Sequence, residues 1–272
     1  MGREAQEEAV KRVELPETNA VWRKLRRAQT ARTKESTDEL RGPLPHSEAA
    51  RRFWSRRTWS ELAAVPAVSQ VVLALVREGA GMGSIGAYTT IAQDEVRHAD
   101  LSLALANALG GYDEEIPDGL EYSPRSLAAP SDVPVVVWAL ANGCFSETVS
   151  LALIQARHAA TKQPTVRAVL AETLKDEALH VRVAWQVAGE VLPKLTPRER
   201  KELAAYAREL SEMIRRTFGT SGLVGKLRTS ENRLRDETAK AGLGALSASE
   251  ENVIVNDALG DIGERLRAHR LR

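Results

Sequence analysis

Two copies of one five-residue pattern carry most of the chemistry in this sequence. The chain reads DEVRH from Asp94 to His98 and DEALH from Asp176 to His180, and it has only five histidines in 272 residues. In each copy a Glu stands three residues before a His, and residues three apart share one face of an α-helix. Each pair can therefore offer a carboxylate and an imidazole to one metal ion from one rigid helix.

Two Glu-x-x-His pairs supply too little negative charge for two buried divalent ions, so two further carboxylates are needed. In a helical hairpin, residues equally distant from the turn lie at the same height. This count selects Glu147 opposite Glu177, and Glu61 opposite Glu95 with a slip of about one helical turn that a kink at Pro66 can absorb. The alternative for Glu61 is a surface ion pair. The basic residues available for it are Arg51, Arg52, Arg56 and Arg57.

The elements that must position these residues are helices. Ala, Leu, Arg and Glu dominate, and no segment alternates apolar and polar residues long enough to predict a strand. Glycines and prolines divide the centre into four segments, 58–77, 83–109, 133–160 and 165–192. Short turns join each pair and a crossover of about 20 residues links the pairs, as in ferritin-like bundles. We expect an all-α fold, a ferritin-like four-helix bundle with additional N- and C-terminal helices.

The domain organisation follows from these segments and from the charge. We expect one compact domain with three parts: an N-terminal helical extension (1–57), the ferritin-like di-metal core (58–192) and a C-terminal helical extension packed on that core (193–272). The net charge is +5 for residues 1–60, −8 for 61–191 and +4 for 192–272. The acidity is therefore concentrated where the long helices are predicted.

Composition excludes several classes of protein. The net charge is only +1, which argues against bulk nucleic-acid binding. No uninterrupted apolar run approaches the roughly 20 residues of a membrane helix, and the charged N-terminus lacks the apolar stretch of a signal peptide. The single cysteine, Cys144, excludes disulfides within the chain and four-cysteine metal sites. We expect a cytoplasmic protein with no membrane association.

The set of two histidines and four carboxylates resembles the ferritin-like di-iron carboxylate proteins, in particular the oxygenase and oxidase branch with two Asp-Glu-x-x-His motifs. The resemblance implies the following metal ligands: Glu61, Glu95, His98, Glu147, Glu177 and His180. It also implies that Asp94 and Asp176 accept a hydrogen bond from the non-ligating N–H of the histidine in the opposite motif. The implied cofactors are two iron ions, with manganese or a mixed Fe/Mn pair as the alternative, and O2 is the implied co-substrate.

Two further residues stand at helical spacings that place them beside this site. Tyr88 lies seven residues before Glu95, and Cys144 lies three residues before Glu147. Together with Glu147, Tyr88 and Cys144 are the candidate catalytic residues. Ordinary packing in the core is the alternative for Tyr88 and Cys144.

The function that this sequence predicts is an O2-dependent di-iron oxidoreductase. Such an enzyme would hydroxylate, desaturate or N-oxygenate a small organic substrate, and a homodimer is among the expected assemblies. It would need an external electron donor, because the chain has no flavin, nicotinamide or iron–sulfur fingerprint. One alternative is a ferritin-like ferroxidase that handles iron. Another is a metal-free helical scaffold that binds an acidic partner or RNA through its basic N-terminal face.

Overall fold

A computed structural model of the chain describes residues 44–113, 137, 139–218 and 226–271, which form seven α-helices and no strand. The helices are α1 (Glu48–Arg77), α2 (Met82–Ala108), α3 (Thr148–Ala160), α4 (Pro164–Val191), α5 (Pro197–Phe218), α6 (Lys226–Lys240) and α7 (Ala248–Ala268). A π-helical segment, Ala139–Glu147, runs directly into α3, and a 3-10 turn, Leu192–Lys194, follows α4. The predicted all-α class is confirmed. Residues 1–43 and most of the expected crossover lie outside the described residues.

Side-chain caps explain where several helices begin. The Ser47 side chain accepts a hydrogen bond from the backbone N–H of Ala50, so α1 begins at Glu48, ten residues before the start that the sequence predicted. Gln163 caps α4 in the same way. Ser247 and Glu250 form a reciprocal capping box at the start of α7. Strong N-caps therefore set the first turn of three of the helices.

The long helices pack as two hairpins. Helices α1 and α2 contact each other along their length, and the backbone N–H of Ser47 donates to the carbonyl of Leu109 at 3.0 Å, so the two helices are antiparallel. A turn at residues 78–81 joins them, with Gly79 in the left-handed region at φ +66°. Helix α4 packs against α3, the π-helical segment and α2. Helices α5 and α7 add a second layer over the π-helical segment and α3.

Two apolar clusters lie toward opposite ends of the hairpins. The Trp54 cluster contains Trp54, Leu101, Leu105, Ile154, Val166 and Val169. The Tyr88 cluster contains Tyr88, Val68, Val71, Ile91, Ala139 and Val187. On α1, Trp54, Glu61 and Val68 are spaced by seven residues, which is about two helical turns. The buried polar residues that follow therefore lie between two layers of apolar side chains.

The turn between α6 and α7 closes the Trp54 end. The Trp54 indole Nε1–H donates to the carbonyl of Leu243 at 2.9 Å. Gly244 has φ +99°, and a Cβ there would come within 2.5 Å of the Trp54 ring. Only glycine allows the backbone of this turn to lie so close to the indole.

By length and composition alone, α1 is the one described helix that could cross a membrane. The interior helix of a globular protein passes the same test, and α1 packs against α2 and carries the buried Glu61. This feature is therefore weak evidence for a membrane.

Helix α1 also continues through Pro66 without interruption.

Candidate metal centre

Four structural elements bring six buried ionisable side chains together. Helix α1 provides Glu61, α2 provides Glu95 and His98, and α4 provides Glu177 and His180. Glu147 is the last residue of the π-helical segment. The side chains form two sets of three, the Glu61 group (Glu61, His98, Glu177) and the Glu147 group (Glu95, Glu147, His180). Within each group the potential ligand atoms lie within 4.8 Å of one another. The structure thus has two buried carboxylate/histidine clusters that fit a di-metal site.

Both imidazoles turn Nδ1 toward the carboxylates. His98 Nδ1 lies 3.8 Å from Glu95 Oε2 and 3.9 Å from Glu177 Oε1. His180 Nδ1 lies 3.4 Å from Glu95 Oε1 and 3.5 Å from Glu147 Oε2. The two ring centroids are 5.8 Å apart. Glu95 therefore presents one oxygen to each histidine, which is the geometry of a carboxylate shared between two centres.

The opposite ring nitrogens are held by aspartates. His98 Nε2 lies 3.1 Å from Asp176 Oδ2, and His180 Nε2 lies 3.4 Å from Asp94 Oδ2. Each aspartate belongs to the motif on the other helix, so the contacts cross between α2 and α4. A carboxylate that accepts from Nε2–H leaves Nδ1 with its lone pair available.

The two Nδ1 atoms are among the buried atoms that have no hydrogen-bond partner in the described part of the protein. Among the described residues, both Nδ1 atoms are buried and have no hydrogen-bond partner, and the same holds for Glu177 Oε2. Buried polar atoms in folded proteins are nearly always paired. Unpaired lone pairs that converge from two helices, α2 and α4, indicate a ligand, and imidazole with carboxylate is a donor set that suits iron and manganese.

An arginine stands at the edge of the Glu61 group. The Arg57 Nε lies 2.5 Å from Glu61 Oε1, and its Nη2 lies 3.9 Å from Glu177 Oε1. The Arg57 side chain is only 13% exposed. Glu61 does pair with the basic cluster, as the alternative interpretation expected, but the pair is buried against the other ligand candidates and does not lie on the surface.

A second arginine ties the two aspartates together. Arg97 forms an ion pair with Asp176, and its Nη2 lies 3.8 Å from Asp94 Oδ1. Arg97 is the fourth residue of the first motif, so it points to the same side of α2 as Asp94. The aspartates that hold the imidazoles are therefore themselves held by a cation.

Burial dominates the ionisation of the Glu61 group. It raises the pKa of Glu61 to about 7, although the guanidinium of Arg57 opposes the shift. Burial also lowers the pKa of His98 to about 4. The pKa of Glu177 is raised well above its usual value by burial and by the charges of Glu147 and Glu95. At neutral pH, His98 is therefore an unprotonated base that is ready to coordinate.

The Glu147 group is ionised differently. Burial opposes the charged form of His180, but the nearby carboxylates of Asp94, Glu147 and Glu95 outweigh it and raise the pKa of His180. Burial likewise opposes ionisation of Glu147, yet the contact with His180 brings its pKa below the usual value. Burial and the nearby Glu147 raise the pKa of Glu95. In the metal-free protein the histidine of this group therefore carries the positive charge, and its Nδ1 must lose a proton before it can bind a metal ion.

The π-helical segment replaces part of the α-helix that the sequence predicted for residues 133–160. Its wide turns are supported by Ser146, whose hydroxyl donates to the carbonyl five residues earlier, at Ala141. Because the segment ends at Glu147 and α3 is regular from Thr148, the count that placed Glu147 opposite Glu177 is unaffected. Segments of this kind are rare and concentrate at functional sites.

The other two candidate catalytic residues, Tyr88 and Cys144, lie in two different apolar clusters. The Tyr88 hydroxyl is buried without a hydrogen-bond partner, 3.0 Å from the point that a Cβ on Gly143 would occupy, one turn before Glu147. Cys144 is fully buried in the cluster that faces α5 and α7, and burial raises the pKa of its thiol. Their catalytic roles stay predictions.

Three polar residues of the site were missed as site residues by the sequence analysis. Arg57 and Arg97 are described above, and the Ser150 hydroxyl lies 3.4 Å from Glu177 Oε1. Arg57 lies four residues before Glu61, so helical spacing alone could have placed it on the same face. Ser150 lies three residues after Glu147, so helical spacing could have placed it on the same face as Glu147.

Comparisons with protein-family models, curated proteins and solved structures gave no match for this chain. The interpretation of the site therefore rests on its geometry and on the chemistry of its side chains.

Proposed function

We propose that the chain is a ferritin-like di-iron protein that uses O2 to oxidise a small organic substrate. The observation that carries this proposal is the pair of unpaired imidazole Nδ1 atoms, His98 and His180, facing the two oxygens of Glu95. A single metal position would leave one of these nitrogens unsatisfied. Two positions satisfy both and make Glu95 the shared ligand.

The charge of the site supports two divalent ions. The charged groups nearest the site are Glu61, Glu95, Glu147, Glu177, Asp94, Asp176, Arg57 and Arg97. With every carboxylate ionised and both imidazoles neutral, these groups carry a net charge of −4. Burying that charge uncompensated would be prohibitively costly. Two divalent ions neutralise it, whereas a metal-free scaffold would have to keep several of these groups protonated.

The chemistry that two iron ions would supply here is the reductive activation of O2 for hydroxylation, desaturation or N-oxygenation, with electrons from an external donor. The protein residues hold the ligands and exclude water. Asp94 and Asp176 fix each imidazole with Nδ1 inward, and the Trp54 and Tyr88 clusters cover the site on both sides. The same oxygen-rich donor set would accept manganese, alone or paired with iron.

In the Tyr88 cluster, the Tyr88 hydroxyl is the polar group best placed to hydrogen-bond a substrate or to donate a proton. It is buried, unpartnered and near Glu147, and its pKa is raised by burial and then by Cys144 and Glu147, so it stays a phenol. A phenol of this kind can donate a hydrogen bond to a group that arrives next to Glu147.

A cytoplasmic location, a homodimer and an external reductase are further parts of this proposal.

The test is metal content and oxygen reactivity of the full chain. Iron per chain is measured after anaerobic reconstitution, and ultraviolet–visible spectra of the ferrous protein are recorded before and after O2. We expect about two irons per chain and an O2-dependent absorption band in the wild type. Glu147→Ala should lose the band, since it removes a ligand candidate from the Glu147 group.

The matched control is Glu172→Ala, which removes a carboxylate from α4 where Glu172 pairs with Lys175 outside the site. This variant should behave as the wild type. Failure to bind stoichiometric iron or manganese would contradict the proposal. Iron oxidation that continues far beyond two per chain, with no substrate, would identify the ferroxidase alternative.

A further inference from the structure

We propose that Arg57 makes the two metal positions unequal, so that the Glu147 group binds its ion first and tightly, and the Glu61 group binds second and more weakly. Arg57 would then be a positioning residue that acts through Glu61 and Glu177. The inference rests on the proposed di-metal function, and it adds an order of loading to it.

The contacts of Arg57 fall on one group only. Its guanidinium is within ion-pair distance of Glu61 and Glu177, two of the three side chains in the Glu61 group. Among the described residues, no Lys or Arg nitrogen lies within 4.0 Å of the carboxylates of Glu95 or Glu147. One metal position therefore has an arginine beside it, whereas no described Lys or Arg lies at that distance from the other.

A fixed positive charge at this place weakens the binding of a second cation. The ion that enters the Glu61 group meets the charge of Arg57 and must share carboxylates that Arg57 already holds. Because Arg57 and Glu61 are largely buried, solvent and salt screen this repulsion poorly. Among the described residues, no Lys or Arg holds the carboxylates of Glu95 or Glu147 in this way, so the geometry favours filling the Glu147 group first.

Repulsion by Arg57 and orientation of Glu61 by Arg57 predict opposite changes in the second binding step. A guanidinium that orients Glu61 toward the metal would strengthen binding, and its removal would weaken the second step. Repulsion predicts that removal strengthens the second step. The sign of the change therefore decides between the two roles.

The experiment is a stepwise titration of the metal-free full chain with Co²⁺, followed by calorimetry and by the visible absorption of bound cobalt. The wild type should bind two ions in resolved steps. His98→Ala should retain the tight step and lose the weak one, and His180→Ala should lose the tight step. These two variants assign the steps to the groups, independently of any enzymatic activity.

Arg57→Leu removes the charge and should tighten the second step by about tenfold or more, with the first step changed little. Arg57→Lys keeps the charge and should keep the two steps apart, which also covers the case in which Arg57→Leu folds poorly. Arg56→Gln is the matched control. It removes a charge from the neighbouring exposed position on α1 and should leave both steps unchanged.

The outcomes of the proposal and of the underlying function are distinguishable. A wild type that binds no ion contradicts the proposed function. Two ions with equal affinities, or a second step that Arg57→Leu leaves unchanged or weakens, overturn the role of Arg57 and leave the two-metal centre standing. One ion in the wild type and two in Arg57→Leu would support the effect of Arg57 and contradict a wild-type centre with two ions.

Discussion

The Glu61 group and the Glu147 group have the same composition, two glutamates and one histidine, but they are neutralised in different ways. In the Glu61 group the cation is Arg57, while His98 has a pKa of about 4 and is neutral. In the Glu147 group His180 itself is the cation, because its pKa is raised by its carboxylate neighbours despite burial. One group keeps its positive charge when a metal binds, and the other releases it as a proton.

The residue one turn before the non-motif glutamate accounts for this difference. Four residues before Glu61 stands Arg57, and four residues before Glu147 stands Gly143. A Cβ on Gly143 would come within 2.5 Å of the Ala184 Cβ, so the π-helical segment has no room there even for alanine. The two Asp-Glu-x-x-His motifs differ at one charged position, Arg97 against Leu179, and the elements packed opposite them add Arg57 and Gly143 to the asymmetry.

Removal of Glu95 should have the largest effect, because its carboxylate faces both imidazoles and so belongs to both metal positions. Glu95→Ala should weaken both binding steps by more than about a hundredfold, because each position loses a ligand. Equilibrium dialysis against a chelator measures this loss. In urea denaturation the metal-free variant should be as stable as the wild type or more stable, since a buried carboxylate is gone.

Glu172→Ala on the outer side of α4 is the control for this loss and should bind both ions normally. Loss of only one ion in Glu95→Ala would contradict the shared position that the structure gives to this carboxylate.

The aspartates allow the two groups to be perturbed one at a time. Asp176→Asn alters the hydrogen bond to His98, and Asp94→Asn alters the one to His180. Each substitution should weaken one step of a stepwise titration by about 10- to 100-fold, as is usual for outer partners of ligating histidines. A uniform loss in both steps would mean that the aspartates support the fold and not the individual groups.

The pH dependence should differ between the groups. Glu61 has a raised pKa of about 7, so below that pH the metal-free protein holds a proton that the ion must displace. Affinity for the Glu61 group should therefore fall as the pH decreases from 7 to 5.5, with Glu61 contributing up to about tenfold per pH unit and Glu177, whose pKa is also raised, adding to the slope. His98 adds nothing in this range because its pKa is about 4.

For the Glu147 group, release of the His180 proton should give a pH dependence that also continues above pH 7. Competition titrations with a coloured chelator at several pH values measure both slopes. If both binding steps depended on pH with the same slope, the different neutralisation of the two groups would have no effect on their metal affinities.

The smallest expected effect concerns Ser150. Its hydroxyl is 3.4 Å from Glu177 Oε1, so Ser150→Ala should weaken the second binding step by about fivefold, the usual contribution of one hydrogen bond. Ser146→Ala removes a hydroxyl that bonds to the Ala141 carbonyl and should not change metal affinity. An equal change in both variants would indicate a general effect on the helix.

Helical spacing and hairpin symmetry predicted that Glu147 would lie level with Glu177, because both depend only on residue counts, whereas Glu61 fitted the count only with a slip of about one helical turn. The sequence was also sufficient for the all-α class and for most helix ends. It could not predict the π-helical segment, since the close approach of Gly143 to Ala184 is a tertiary contact. It also left the placement of Arg57 open, because the same spacing fits a solvent-exposed pair, and only the packing of α1 against α2 and α4 buries it.

The seven-residue spacing of Trp54, Glu61 and Val68 on α1 has a consequence for kinetics. The site has an apolar layer on each side, and the turn at Leu243 locks one of these layers through the Trp54 indole. A metal ion that leaves along the direction of the helices must pass one of these layers, which requires the helices to separate. We expect the half-life of the bound metal to follow the rate of helix opening rather than the strength of the coordinate bonds, so metal exchange would report on the dynamics of the interior.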